Sequence, residues 1–365
     1  VRRASGAHRR GQLREAFDLS GQALKVAPKR SAIYAEAICL HDVMGHLLGD
    51  PGKSDTERVR DGEQAVAMVM QMGRVRDATS CMLRLSTILH NIGDRRRSRK
   101  AREKTLALSR LVPDTRMQGL AMHSMAMSMS HDGEFEEAIQ MSNAGMELVA
   151  CASTERGWRW MMQYHAMLQC DAGQMEDAEN LFEESRLWAL GNAQPHDLTH
   201  AYEGLAVVML LQRRPKEALA YAQIGLESDH VRDDHIMLAD LRMQAGLALH
   251  QLGCPVEAGA EYAQIQLSEL HGHQRMMLLG RRLLVAMELG TPDQATLRRD
   301  LEEALTGPDF PGIEGLSLLL TALKQPGDLL RDIALNRSSP RAPAWVRMLA
   351  ITAVQRFLEG GGGEG

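Results

Sequence analysis

Apolar residues recur along most of this chain at the three-and-four spacing of an amphipathic helix, and short polar turns interrupt them at a fixed interval. The interval is 40 residues. Each turn carries an alanine or serine five positions on: Gly93…Ser98, Gly133…Ala138, Gly173…Ala178, Arg213…Ala218 and Gly253…Ala258. Around Gly133 the period resolves into two helices. Thr115 to His131 places Leu120, Met122, Met125 and Met129 at helical spacing, Asp132-Gly133 ends that run, and Glu134 to Val149 opens a second with three acids in its first turn. A period of this length predicts a stack of two-helix units, in which each unit buries its apolar face against its neighbours.

Small residues form two rows in this register. Seven positions before each turn stand Ser86, Ala126, Ala166, Ala206 and Gly246; five after it stand Ser98, Ala138, Ala178, Ala218 and Ala258. Two helices cross closely only where the side chains at the contact are small, so the rows predict the crossing point within each pair.

The flanks depart from the beat. Gly11-Gln-Leu-Arg-Glu-Ala16 is a further turn, but residues 1–10 are too few and too polar for a first helix, so the array is expected to begin inside a unit. Residues 49–62 add about seven positions and read as a polar loop between two helices. Beyond Gly253 the period shortens to 37, through Gly290 to Gly327, and Leu283 takes the place of the small residue. The expected organisation is a repeat array over 1–306, a degenerate repeat and helical cap over 307–359 with Ala344–Leu358 as its last amphipathic helix, and a flexible glycine tail over 360–365.

Composition supports an all-helical chain. Alanine, leucine and methionine dominate, aromatics make up 4%, and the formal net charge of −5 implies no global attraction to nucleic acid or an anionic membrane. Five scattered cysteines with no C-x-x-C fit a reducing cytoplasmic setting. No apolar run reaches the ~20 residues that span a bilayer.

The two-helix period, the small-residue rows and the Gly-x-φ-x-x-Ala turn (φ apolar; Gly133-Glu-Phe-Glu-Glu-Ala138, Gly173-Gln-Met-Glu-Asp-Ala178) resemble the tetratricopeptide repeat over roughly residues 8–306. The usual unit has 34 residues; here each helix gains close to a turn, as in the lengthened units of bacterial regulator and signalling proteins. Met or Leu fills most of the family's aromatic positions. The resemblance implies a right-handed superhelical α-solenoid whose first helices line a concave groove. It also implies a non-catalytic protein- or peptide-binding scaffold or sensor, with no metal or cofactor. Two further readings are a regulatory domain of a transcription regulator or nucleotide-signalling protein whose effector lies outside this chain, and a self-associating module. A small-molecule effector and a homodimer are further candidate partners; nucleic acid is not expected.

Placed in that register, the groove positions include His90, His123, Met127, His131, Trp160, Gln163, Met167, His200, Glu203, Met243 and His250. Five of the 25 groove positions are histidine, against about one expected from the chain's 14 in 365. Met, His, Trp and Gln together suit a peptide or a ligand of mixed character. The groove pairs Leu83/Thr87, His123/Met127, Gln163/Met167, Glu203/Val207 and Met243/Leu247 contain no cation, so the carboxylate clamp of chaperone-docking arrays is absent.

Other motifs take bland readings. Gly49-Asp-Pro-Gly-Lys-Ser54 lacks the leading glycine of a phosphate loop, because Leu47 stands there. His196-Asp-Leu-Thr-His200 has aspartate where a zinc hydrolase carries glutamate, and His271-Gly-His273 falls in a turn. The basic run Arg95 to Lys104 spreads around its helix and reads as a solvated face.

Overall fold

The computed structural model describes residues 1–152, 155–229, 231, 234–267, 270, 272–305, 313–324, 328–335 and 342–359. Among them lie nineteen α-helices. They pair in chain order as α1 (Arg2–Arg9) with α2 (Leu13–Val26), α3 (Ala32–Leu47) with α4 (Asp55–Gln71), α5 (Val75–Asn91) with α6 (Arg95–Ser109) and α7 (Thr115–His131) with α8 (Phe135–Ala152). The series continues with α9 (Glu155–Ala172) and α10 (Met175–Gly191), α11 (Pro195–Leu211) and α12 (Pro215–Leu226), α13 (His235–Gln251) and α14 (Pro255–Ala263), then α15 (Gly272–Leu289) and α16 (Gln294–Leu305). Helices α17 (Ile313–Ala322) and α18 (Asp328–Ala334) precede α19 (Ala344–Val354), which runs into a short π-helical turn, Gln355–Glu359. Helices α5 to α14 follow the 40-residue spacing in pairs. Gly327, His271 and the tail 360–365 lie outside the described residues.

The chain forms two compact units. One comprises residues 1–128, 137–162 and 229–236; the other comprises 129–136, 163–228 and 237–365.

The small-residue rows are the helix crossings. Ser86 and Ser98 are buried, and the Ser98 hydroxyl donates to the Ser86 carbonyl at 3.0 Å. Ala126, Ala138, Ala166, Ala178, Ala206, Ala218 and Ala258 are all fully buried. Where the row shrinks to glycine, an aromatic ring fills the space: a Cβ on Gly246 would run into Tyr262.

Two sequence expectations are corrected. A helix does precede Gly11: α1 is polar, but its Ala4 and Ala7 are fully buried, and two alanines suffice to seat so short a helix. The inserted loop is shorter than 49–62, because Ser54 and Glu57 close a capping box that starts α4 at Asp55. Lys53 of the phosphate-loop lookalike is held by two carboxylates, Asp42 at 2.7 Å and Asp61 at 2.6 Å.

Turn glycines 93, 133, 173 and 253 all take positive φ, from +76° to +84°. Arg213 occupies the same turn position at φ +60°. An L-residue there costs roughly 1–2 kcal/mol. Arg213→Gly is therefore expected to raise stability by about 1 kcal/mol. Urea unfolding measures it, and an unchanged or lowered midpoint would refute the turn-strain account. Gly119→Ala should do the reverse: its new Cβ would strike the Gly145 carbonyl, a backbone atom that cannot swing away. A loss of about 1–3 kcal/mol is expected, while Gly191→Ala, with nothing within 4 Å, is tolerated.

Candidate functional site

In the second unit, the first helices of successive pairs bring charged and amide side chains into one chain of contacts. Gln274 of α15 donates to Asp240 of α13 at 2.8 Å. Arg281 of α15 donates to Gln244 of α13 at 3.1 Å, and Gln244 donates in turn to Glu203 of α11 at 3.2 Å. Arg281 is fully buried, with its Nε and Nη1 unpartnered, whereas Glu203 and Asp240 keep part of their surface. Burial pushes Glu203 up to about 8; the Asp240 carboxylate adds to the shift, and Gln244 and Arg281 oppose it. Near neutral pH, then, Glu203 holds a proton that a cation would displace.

One turn earlier on α11 stands His200. Its ring meets that of His196 edge-on, with centroids 4.7 Å apart, and lies 6.4 Å from that of Tyr164 on α9. Burial, with His196 beside it, pulls His200 down to about 3, so the ring is neutral. These neighbouring side chains comprise two carboxyl groups, a neutral imidazole and a phenol ring, a set that suits a cationic group carried on an apolar stem.

The C-terminal ends of the same helices are closed. Every residue of α19 is buried, so it is a core helix and not the amphipathic cap that its sequence suggests. Asp171, in the last turn of α9, accepts from the main-chain N–H of Ala344 at 2.9 Å, a carboxylate at the helix N-terminus, and from Ser130 Oγ at 2.6 Å. Arg347 donates back to the carbonyls of Cys170 and Asp171, satisfying the end of α9. Farther along, Gln251 of α13 donates to Thr352 at 3.1 Å. Arg356 and His250 share Glu288, the histidine contact being 2.7 Å.

The expected groove residues therefore separate. Met243 and His250 are fully buried, and Gln163 is buried with its amide donating to Ser185 and to the Asp197 carbonyl. As open groove contacts these three are corrected to packing positions, Met243 in the core that α19 completes. His123 is buried too, 2.9 Å from Ser142 and edge-on to Trp160, which is itself exposed. His90, Met127, His131, Met167, His200 and Glu203 are half-buried. Sequence reasoning missed Gln244, Gln274 and Arg281. An available signal was the pair Arg281-Arg282 inside the apolar run 276–287.

These helix pairs, their left-handed turns and their small-residue crossings define the chain as an all-α solenoid of the tetratricopeptide type. Solved structures share that fold. One is a Rap protein complexed with competence and sporulation factor, 13% identical, covering 97% of this chain and 98% of that one with a TM-score of 0.64. Another is the Rap conjugation gene regulator of plasmid pLS20 in complex with the Phr* peptide, at 12%, 97%, 98% and 0.58. Aspartyl phosphate phosphatase F from Bacillus subtilis matches at 14%, 99%, 94% and 0.52. At such identities the likeness shows the fold. No protein-family model matches the chain, and no curated protein does.

If Arg347 and Asp171 hold α19 in place, Arg347→Met should strand the last carbonyls of α9 and cost at least about 2 kcal/mol. Limited proteolysis should then cut within 342–359 faster than in the parent. Equal cutting rates would show that apolar burial alone retains the helix.

Proposed function

We propose that this chain is a non-catalytic, peptide-binding regulatory module that recognises a basic group of its ligand at Glu203 and Asp240. The observation that carries the reading is the pair of half-buried acidic residues Glu203 on α11 and Asp240 on α13, with burial keeping Glu203 protonated near neutral pH. A guanidinium or ammonium entering there would release that proton and gain a bidentate or shared carboxylate partner. His200 and Tyr164 would flank its stem. Two of the structures with this fold were solved with a peptide factor or a peptide bound, which supports the ligand class. Among the groove positions of the second unit, Met167, His200 and Glu203 keep exposed surface and are assigned to recognition. A reducing, cytoplasmic setting belongs to the same reading, and the scattered thiols support it. Binding would act on a partner or effector segment by changing how neighbouring helix pairs stack.

The test is fluorescence anisotropy with labelled five- to seven-residue peptide pools that differ only by one arginine replaced with norleucine. The arginine pool is expected to bind at least tenfold tighter, and Glu203→Gln and Asp240→Asn should each abolish that preference. A preference that survives both substitutions would overturn the assignment. The sign of the pH dependence is fixed as well. The free protein holds its proton up to about pH 8, so affinity for the arginine pool should rise between pH 6 and 8, by up to about tenfold per unit, and level off above. Glu203→Gln should flatten that profile. The same proton makes Glu203 costly to the fold. Its stabilising, protonated form is complete below the ordinary carboxylate range and lost as pH rises through about 8.

A further inference from the structure

The charge of this protein is divided very unevenly along the chain. Of the first 116 residues, 23 are Lys or Arg and 13 are Asp or Glu, a net of +10, while the remainder carries −15. Most of the acids in that stretch are spent internally. Asp42 and Asp61 hold Lys53, Asp50 and Asp55 face Arg58, Asp77 holds Arg74, and Asp114 holds Arg76. What is left over on the surface is positive.

Helix α6 shows how the surplus is arranged. Arg97 is tied to Glu63 at 2.7 Å and to Asp94 at 3.2 Å, Arg99 to Glu103 at 3.2 Å, and Arg102 is buried against Ser128 at 2.9 Å. Arg96, Lys100 and Lys104 remain. All three are exposed, and none makes an ion pair or hydrogen bond among the described residues. They stand four apart, so they fall on one line of the helix, about 6 Å per step and about 12 Å end to end. The run spreads around the helix as its sequence suggests, but Arg97, Arg99 and Arg102 have partners, and the three unpaired cations form a ladder. Arg14, Lys25, Lys29, Arg30 and Arg110 of the same unit are exposed in the same unpaired way.

We propose that this unit binds the phosphate backbone of duplex nucleic acid, with Arg96, Lys100 and Lys104 as its central contacts. A regular row of cations suits an extended polyanion better than a single acidic side chain. Among the first 116 residues the only aromatics are Phe17 and Tyr34, and Phe17 is stacked on His41. Helix α6 and the rest of that stretch hold no platform on which unpaired bases would stack, and the exposed Trp160 of the unit stands on α9, so at the ladder the chemistry favours a closed duplex read by its backbone, without base specificity. This surface is separate from the carboxylates at Glu203 and Asp240.

The probe is a fluorescein-labelled 20-base-pair DNA duplex of mixed sequence, titrated with the full chain between 50 and 200 mM salt. Binding should weaken steeply with salt. The triple variant Arg96→Gln, Lys100→Gln, Lys104→Gln should bind more weakly at every salt, with a log–log salt slope shallower by about 2.7, at about 0.9 per lost phosphate contact. These side chains are exposed, so an unchanged melting temperature should confirm that the variant folds. Absence of duplex binding at 50 mM salt, or equal slopes for parent and variant, overturns the proposal. Displacement of the duplex by polyglutamate at equal charge concentration would also overturn it and reassign the ladder to an acidic protein partner. Failure here leaves the arginine-peptide preference untouched, because that readout uses other residues.

Discussion

The close crossing of paired helices is the constraint from which the rest of this structure follows. At each crossing the backbones approach until only a hydrogen, a methyl or a hydroxymethyl fits between them. The Ser98 hydroxyl reaches the Ser86 carbonyl, and at Gly119 and Gly145 main chain meets main chain. Volume is conserved rather than fixed by residue type: Gly204 makes room for the Phe182 ring as Gly246 does for Tyr262. Interiors packed to crystal-like density tolerate such exchanges only when the sum is kept. With the crossings set, every first helix is held at a defined place, and side chains 37 to 41 residues apart meet without further instruction. Gln244 and Glu203, Arg281 and Gln244, and Ser130 and Asp171 are such pairs.

A stack built this way has a problem that its repeats do not solve. Each first helix ends with main-chain carbonyls that need donors. In the second unit the chain supplies them from far away. Arg347 serves the end of α9, while Asp171 returns the favour by accepting from the first N–H of α19. The exchange pairs a cation with a helix C-terminus and a carboxylate with a helix N-terminus, the two arrangements the helix dipole favours. It explains why a helix with the single charge Arg347 in AWVRMLAITAV is buried on all sides.

The turns, the crossing rows and the pairing of helices were legible in the sequence because they repeat, and a repeated pattern carries its own control. The place of α19 was not legible, because its partners lie 101 to 177 residues away and occur once. That one helix changes the meaning of the groove register. Met243 and His250 occupy the same kind of position as Met127 and His90, yet the first two lie in a closed core and the others keep exposed surface. The histidine excess was visible, but burial and neighbours decide what each ring does. Next to Glu288, His250 is a packed hydrogen-bonding residue, whereas His200, held neutral beside His196, borders the open carboxylates.

The distribution of buried charge then separates what holds the molecule from what is available to a ligand. Lys53 with its two aspartates and Arg356 with Glu288 have found opposite partners, and such pairs fix geometry at little net gain. Arg281 is different. It stands among the largest fully buried side chains of the described residues, its hydrogen-bonded path to Glu203 runs through Gln244, and two of its donors stay open. A direct contact would have ionised Glu203 and closed the site. Interposing a neutral amide leaves the carboxyl protonated near neutral pH, held at one oxygen and poised to give up its proton to an incoming cation. A fold optimised only for stability would fill this position with leucine, as it does at Leu205 and Leu247 nearby. The cost of keeping an incompletely satisfied arginine and a neutralised glutamate together in the solenoid is the physical support for the proposed recognition of a basic group here.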